Sequence, residues 1–270
     1  MPFAAAADTT RLYFEEHGAG EPLVLISGQG SDHHMWDPIR EDFAARYRVI
    51  VFDHRGTGES EKPTDPSGYS MHRFASDVIT ILDHLRIERA HAYGLSMGGR
   101  ICQWLGIEHG SRLGALVLGC TTPGNAHGVR RPAEVNAMMA NRSTDPEEAL
   151  KFYLDPFVSP AWAKAHPEYL ATARHRVRHP IPRFAQRFHY QASEAHDAWN
   201  QLSWIHVPAL VIHGSEDQIN PAANAPLLAE RIAGAELHII QAGRHGYFLE
   251  FHEEASRVVL EFLARHPIMG

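Results

Sequence analysis

Gly94-Leu95-Ser96-Met97-Gly98 is the stretch on which the fold turns. A G-x-S-x-G pattern sets a serine at a tight turn between a strand and a helix, with glycines where the backbone must pass closely. Five residues alone would match by chance in roughly one chain in twelve of this length, so the flanks decide. Ala90 to Tyr93 is a short apolar run before the turn, and Ile101, Trp104, Leu105 and Ile107 supply a helix with an apolar face after it. The strand, turn, helix order that the pattern needs is present.

Outward from this turn, further apolar runs bounded by turn residues read as strands: Arg11 to Glu15, Leu23 to Ile26, Arg48 to Phe52 and Leu113 to Leu118. Met71 to Leu85 reads as a helix, with Phe74, Val78, Ile81, Leu82 and Leu85 on one face. Strands alternating with helices predict a largely parallel sheet covered on both faces, an α/β fold. After Thr122 the pattern becomes short helices with start signals at Thr144-Asp145-Pro146-Glu147 and Ser159-Pro160. The alternation resumes with a strand at Ala209 to His213, a helix near Ala223 to Ile232, a strand at Glu236 to Ile240 and a closing helix from Glu253 to Ala264. The expected division is a core in two parts, 1–121 and 205–270, with a helical insert at 122–204.

A serine hydroxyl is a weak nucleophile and needs a base whose tautomer a carboxylate fixes. After a strand-turn-helix serine, acid and base should follow in that order on loops after later strands. Asp217, in Gly214-Ser215-Glu216-Asp217-Gln218-Ile219-Asn220-Pro221, follows the strand at 209–213, and Glu216 is its neighbour and rival. His245, in Gly243-Arg244-His245-Gly246-Tyr247, follows the strand at 236–240. The oxyanion needs two backbone N–H donors: Met97 supplies one, and Gln29, in Ser27-Gly28-Gln29-Gly30 after the strand at 23–26, is the candidate for the other. A dinucleotide loop would need glycine where His33 stands. Asp53-His54-Arg55-Gly56-Thr57-Gly58-Glu59-Ser60 reads as structural, Asp53 and the glycines shaping a turn and Arg55 holding nearby backbone or carboxylates.

Composition narrows the field. Formal charge is −7 without a basic stripe, which argues against nucleic acid. The 20 histidines include no H-E-x-x-H pair, and His175 and His179, four apart in an Arg-rich stretch, read as a solvated helix face. Cys102 and Cys120 read as small apolar core residues. No stretch approaches the ~20 apolar residues of a membrane span, and Met1-Pro2-Phe3 followed by alanines lacks a signal peptide's basic start. The expectation is a cytoplasmic protein without metal or organic cofactor. A homodimer is compatible with the sequence.

Together, the loop at Gly28, the Asp53-x-Arg55-Gly56-x-Gly58-x-Ser60 turn, Gly94-x-Ser96-x-Gly98-Gly99, Gly214-x-x-Asp217-x-x-x-Pro221 and Gly243-x-His245 resemble the α/β-hydrolase superfamily over essentially the whole chain. The resemblance implies an eight-stranded sheet with a helical cap over the site. His34-Met35-Trp36-Asp37-Pro38 and Gly94 to Gly99 look like the 3-oxoadipate enol-lactonase branch, and Leu25-Ile26-Ser27-Gly28-x-Gly30 like the aminoacrylate hydrolases. Most relatives carry His-Gly where Ser27-Gly28 stands. Serine in the elbow separates the chain from haloalkane dehalogenases and most epoxide hydrolases, which carry Asp there. The expected activity is hydrolysis of a small ester or lactone through Ser96, with Gly28, Phe157, Trp162, Ile219 and Tyr247 contacting the substrate. Met138, Met139, Phe152 and Tyr153 are further candidate walls. C–C bond hydrolysis, cofactor-free perhydrolysis and a slow-turnover ligand receptor are the alternatives on the same triad.

Overall fold

The computed structural model describes residues 2–140, 145–151, 153–154, 156–178 and 181–268, those at 146, 175 and 178 by backbone alone. Eight strands, β1 (Phe3–Ala5), β2 (Arg11–His17), β3 (Glu21–Ile26), β4 (Tyr47–Phe52), β5 (Ala90–Leu95), β6 (Leu113–Gly119), β7 (Ala209–Gly214) and β8 (Glu236–Ile240), form one sheet in the order β1-β2-β4-β3-β5-β6-β7-β8. β1 pairs antiparallel with β2 and β2 with β4; every other pairing is parallel.

Side chains alternate across the sheet because successive residues of a strand point to opposite faces. In β3, Val24 and Ile26 enter one core and Leu23 and Leu25 the other; in β4, Ile50 and Phe52 oppose Val49 and Val51. α1 (Arg40–Ala44) lies on the second face, while α2 (Met71–His84) and α3 (Met97–Glu108) cover the first. β5 and β6 are buried at every residue, as helices on both faces require.

Between β6 and β7 run α4 (Ala133–Ala140), α5 (Pro146–Lys151), α6 (Pro160–Ala165), α7 (Pro167–Arg178) and α8 (Arg183–Glu194). Ser159 Oγ caps α6 by accepting the Trp162 N–H, with Pro160 in the first turn. At α5 the capping oxygen is the carboxylate of Asp145, which accepts from Glu147 and Glu148 N–H; Thr144 lies outside the described residues. After β7, α9 (Asn224–Arg231) joins the first face, and after β8, α10 (Tyr247–Glu250) and α11 (His252–Ala264) join the second. Among the described residues no helix is long and apolar enough to cross a membrane.

Candidate active site

The elbow is sterically compressed. A Cβ on Gly94 would sit 2.2 Å from the Gly98 carbonyl oxygen, and one on Gly98 2.1 Å from that of Ile26. Ser96, squeezed between them, takes φ 58° and ψ −112°, a left-handed conformation that costs a non-glycine residue on the order of 1–3 kcal/mol. Its N–H donates to Gly119 O at 2.8 Å, and its carbonyl accepts from Thr121 Oγ1 at 2.8 Å. These bonds hold the turn against β6 and aim Oγ away from the sheet.

Asp217 and His245, from the loops after β7 and β8, meet at 2.8 Å between Oδ2 and Nδ1, both side chains buried. An ionised carboxylate only accepts, so Nδ1 carries the proton and Nε2 presents a lone pair. Asp217 Oδ1 accepts from the N–H groups of Ile219 and Asn220 at 2.8 and 2.9 Å. Burial alone would raise the Asp217 pKa, but His245 and His213, through their charge and their hydrogen bonds, outweigh it and leave the group at about 2, ionised at any working pH. Glu216 is exposed and faces Arg244, so the rival carboxylate points away from the histidine.

Gln29 and Met97 lie where backbone donors are needed. A Cβ on Gly28 would be 3.5 Å from Ser96 Cβ, which sets the loop after β3 directly against the elbow. Met97 opens α3, so its N–H has no carbonyl four residues back within the helix, and its side chain is buried in the core. Neither N–H is taken by a backbone or side-chain acceptor among the described residues.

Ser96 and His245 line one cavity of about 1000 Å³, with Gly28, Gln29, Met35, Met139, Tyr153, Phe157, Trp162 and Ile219 among its walls. The Phe157 ring stands edge-on to His245, centroids 5.6 Å apart, and Trp162 stacks on His166. Tyr247 corrects the sequence expectation. It is fully buried beneath the site, its hydroxyl 3.1 Å from that of Tyr93, because the residue two beyond His245 already begins α10 and packs on the sheet. Met138 packs beside the cavity, while Phe152, His179 and the His175 side chain lie outside the described residues.

Two neighbours escaped the sequence reading. Asn220 Nδ2 donates to Cys120 O at 2.6 Å and reaches Ser96 Oγ at 3.5 Å. His213 Nε2 donates to Asn220 O at 2.7 Å and lies 3.2 Å from Asp217 Oδ2. The available signal was a histidine inside the apolar run Ala209-Leu210-Val211-Ile212-His213, a polar group that burial obliges to find a partner. Cys120, Asp217 and His245 offer atoms within 4.8 Å of one another, the spacing of metal ligands, but the Asp217–His245 bond already occupies one atom of each. Burial, and then the Asp217 charge, push the Cys120 thiol well up, so it stays protonated and a poor nucleophile.

Arg55, read as structural, donates to Asp77 from Nε and Nη2 and to Asp8 from Nη1. Asp53 accepts from the N–H groups of His33 and Glu59. Both therefore brace the turn and stand apart from the cavity walls.

The sequence matches a family model described as alpha/beta hydrolase fold over residues 21–251. A RutD protein of Caulobacter sp. strain K31, named for carbamate hydrolysis, is 31% identical over 264 residues, covering 94% of this chain and 96% of the relative. Est816, described as an N-acyl homoserine lactone degrading enzyme, superimposes with a TM-score of 0.83 at 30% identity, covering 97% of this chain and 100% of the other. The enol-lactonase from Burkholderia xenovorans LB400 superimposes at 0.85 with 27% identity, over 97% and 100% of the two chains.

Proposed function

From membership of the α/β-hydrolase fold family, to which this chain belongs, we propose that it is a serine hydrolase cleaving a carboxylic ester or lactone of a small organic molecule. The observation that carries the reading is the buried 2.8 Å Asp217–His245 hydrogen bond at the floor of a cavity that also exposes Ser96. His245 Nε2 takes the Ser96 proton as Oγ attacks the carbonyl, and the N–H groups of Gln29 and Met97 hold the developing oxyanion. The alcohol leaves with that proton, or stays tethered if the substrate is a lactone. Water, activated by the same nitrogen, then releases the acid. The reaction so written calls on no metal or organic cofactor.

Residues 122–204 act as a cap in this reading and set substrate choice, with Met139, Tyr153, Phe157 and Trp162 among the wall residues it contributes. The lactone-degrading and enol-lactonase neighbours support an ester-like carbonyl, and the carbamate name of the RutD relative keeps the reaction within acyl transfer. Ser96→Ala should lower turnover of p-nitrophenyl acetate or a γ-lactone on the order of a million-fold, with unfolding temperature unchanged to within a few degrees and fluorophosphonate labelling lost. A variant keeping more than a few per cent of wild-type turnover sinks the assignment.

A further inference from the structure

Two histidines outside the triad converge on the loop that carries Gln29. His189 lies on α8, within the segment between β6 and β7, and His54 follows β4; both side chains are fully buried. His189 Nε2 is 2.8 Å from the Arg55 carbonyl oxygen, so this nitrogen carries the proton. The neutral ring then has an acceptor at Nδ1, and Gly30 N–H donates to it at 3.4 Å. His54 Nε2 donates to Ser27 O at 3.0 Å by the same logic. The Gly28 N–H points to Met35 Sδ at 3.3 Å, and Gly28 O accepts from Ser31 N–H. The loop is thus tied on either side of Gln29, whose own N–H has no acceptor among the described residues.

We infer that His189 is a positioning residue for oxyanion stabilisation, acting through the Gly30 backbone to fix the direction of the Gln29 N–H. The assignment rests on the acyl-enzyme reading above. It gives the segment between β6 and β7 a part in the chemical step, beyond lining the cavity. The anchor is stiff, because Arg55, whose carbonyl holds Nε2, is itself clamped by Asp77 and Asp8. Geometry matters here because a donor off its mark stabilises the oxyanion less, whereas the ground-state ester, bound by the cavity walls, loses little.

The test uses His189→Phe, which keeps a ring among Tyr69, Phe74 and His54 but removes both hydrogen bonds, and His189→Asn, whose amide oxygen can stand near the Nδ1 position. Active enzyme is titrated with a fluorophosphonate, so that partial unfolding does not enter kcat. Hydrolysis of an ester is compared with that of its thionoester, whose sulfur is a weak acceptor for oxyanion donors. His189→Phe should lower kcat ten- to a hundredfold, leave KM within about twofold, and shrink the ester-to-thionoester rate ratio several-fold. His189→Asn should lie between it and wild type. Unchanged kcat in His189→Phe overturns the inference, as does a lower kcat with an unchanged ratio, or an Asn variant no better than Phe. Those results leave the acyl-enzyme reading standing; a wild type that turns over no ester overturns both.

Discussion

His54 and His189 are buried as neutral rings, and burial holds their pKa values at about 4 and about 3, far under the usual 6.5. Between pH 6.5 and about 4 the unfolded chain binds protons that the folded protein refuses, so stability should fall as pH falls through that window. Each ring contributes up to about 1.4 kcal/mol per pH unit there. Urea denaturation at pH 7, 5.5 and 4.5 measures the slope, and His54→Gln should flatten it by one ring's share. A stability independent of pH across this range would show that the rings accept protons in the folded state. Asp217 and His245 were legible in the sequence because their loops follow successive strands in a fixed order after Ser96. His213, Asn220 and His189 were not, since each is a polar residue whose partner is 4 to 134 positions away. Tyr247 misled for a related reason: proximity to His245 in sequence says nothing of which way a side chain leaves the first turn of α10.

At the scale of elements, the strand-turn-helix unit of β5 and α3 was readable because its constraints are local. Its two elbow glycines touch backbone atoms, which cannot move aside. Gly94→Ala and Gly98→Ala should each cost about 3 kcal/mol or leave the protein insoluble, whereas Gly110→Ala, whose Cβ would meet nothing within 4 Å, should leave the thermal midpoint within a degree or two. Comparable loss at all three positions would mean that crowding at the elbow is not the cause. β1 and α1 went unread. Three residues beside an alanine run, and five residues of mixed character, carry no periodicity of their own; pairing with β2 and packing against β4 supply what the local sequence lacks. The signals at Ser159-Pro160 located α6 because capping is satisfied within one turn.

Across the whole molecule, the net charge of −7 is mirrored at the cavity. Its described walls include Asp32, Asp37, Glu168, Glu250, Glu253 and Glu254 against one guanidinium, that of Arg176. A negative mouth disfavours approach of anions, and salt screens it. The half-ester of a dicarboxylic acid should therefore show a kcat/KM about tenfold below that of a neutral ester of equal length at 10 mM salt, with the gap closing several-fold at about 0.5 M. An anionic ester that is preferred at low salt would contradict this. The same scale gives the insertion between β6 and β7 a consequence in time. β6 is buried along its whole length and finds its second neighbour only in β7, which begins about ninety residues after β6 ends. A ribosome adding 5–20 residues per second needs about 5 to 18 seconds to cover that distance. Throughout that interval the nascent chain carries a completed nucleophile turn beside an uncovered strand edge, the kind of edge on which polypeptides aggregate.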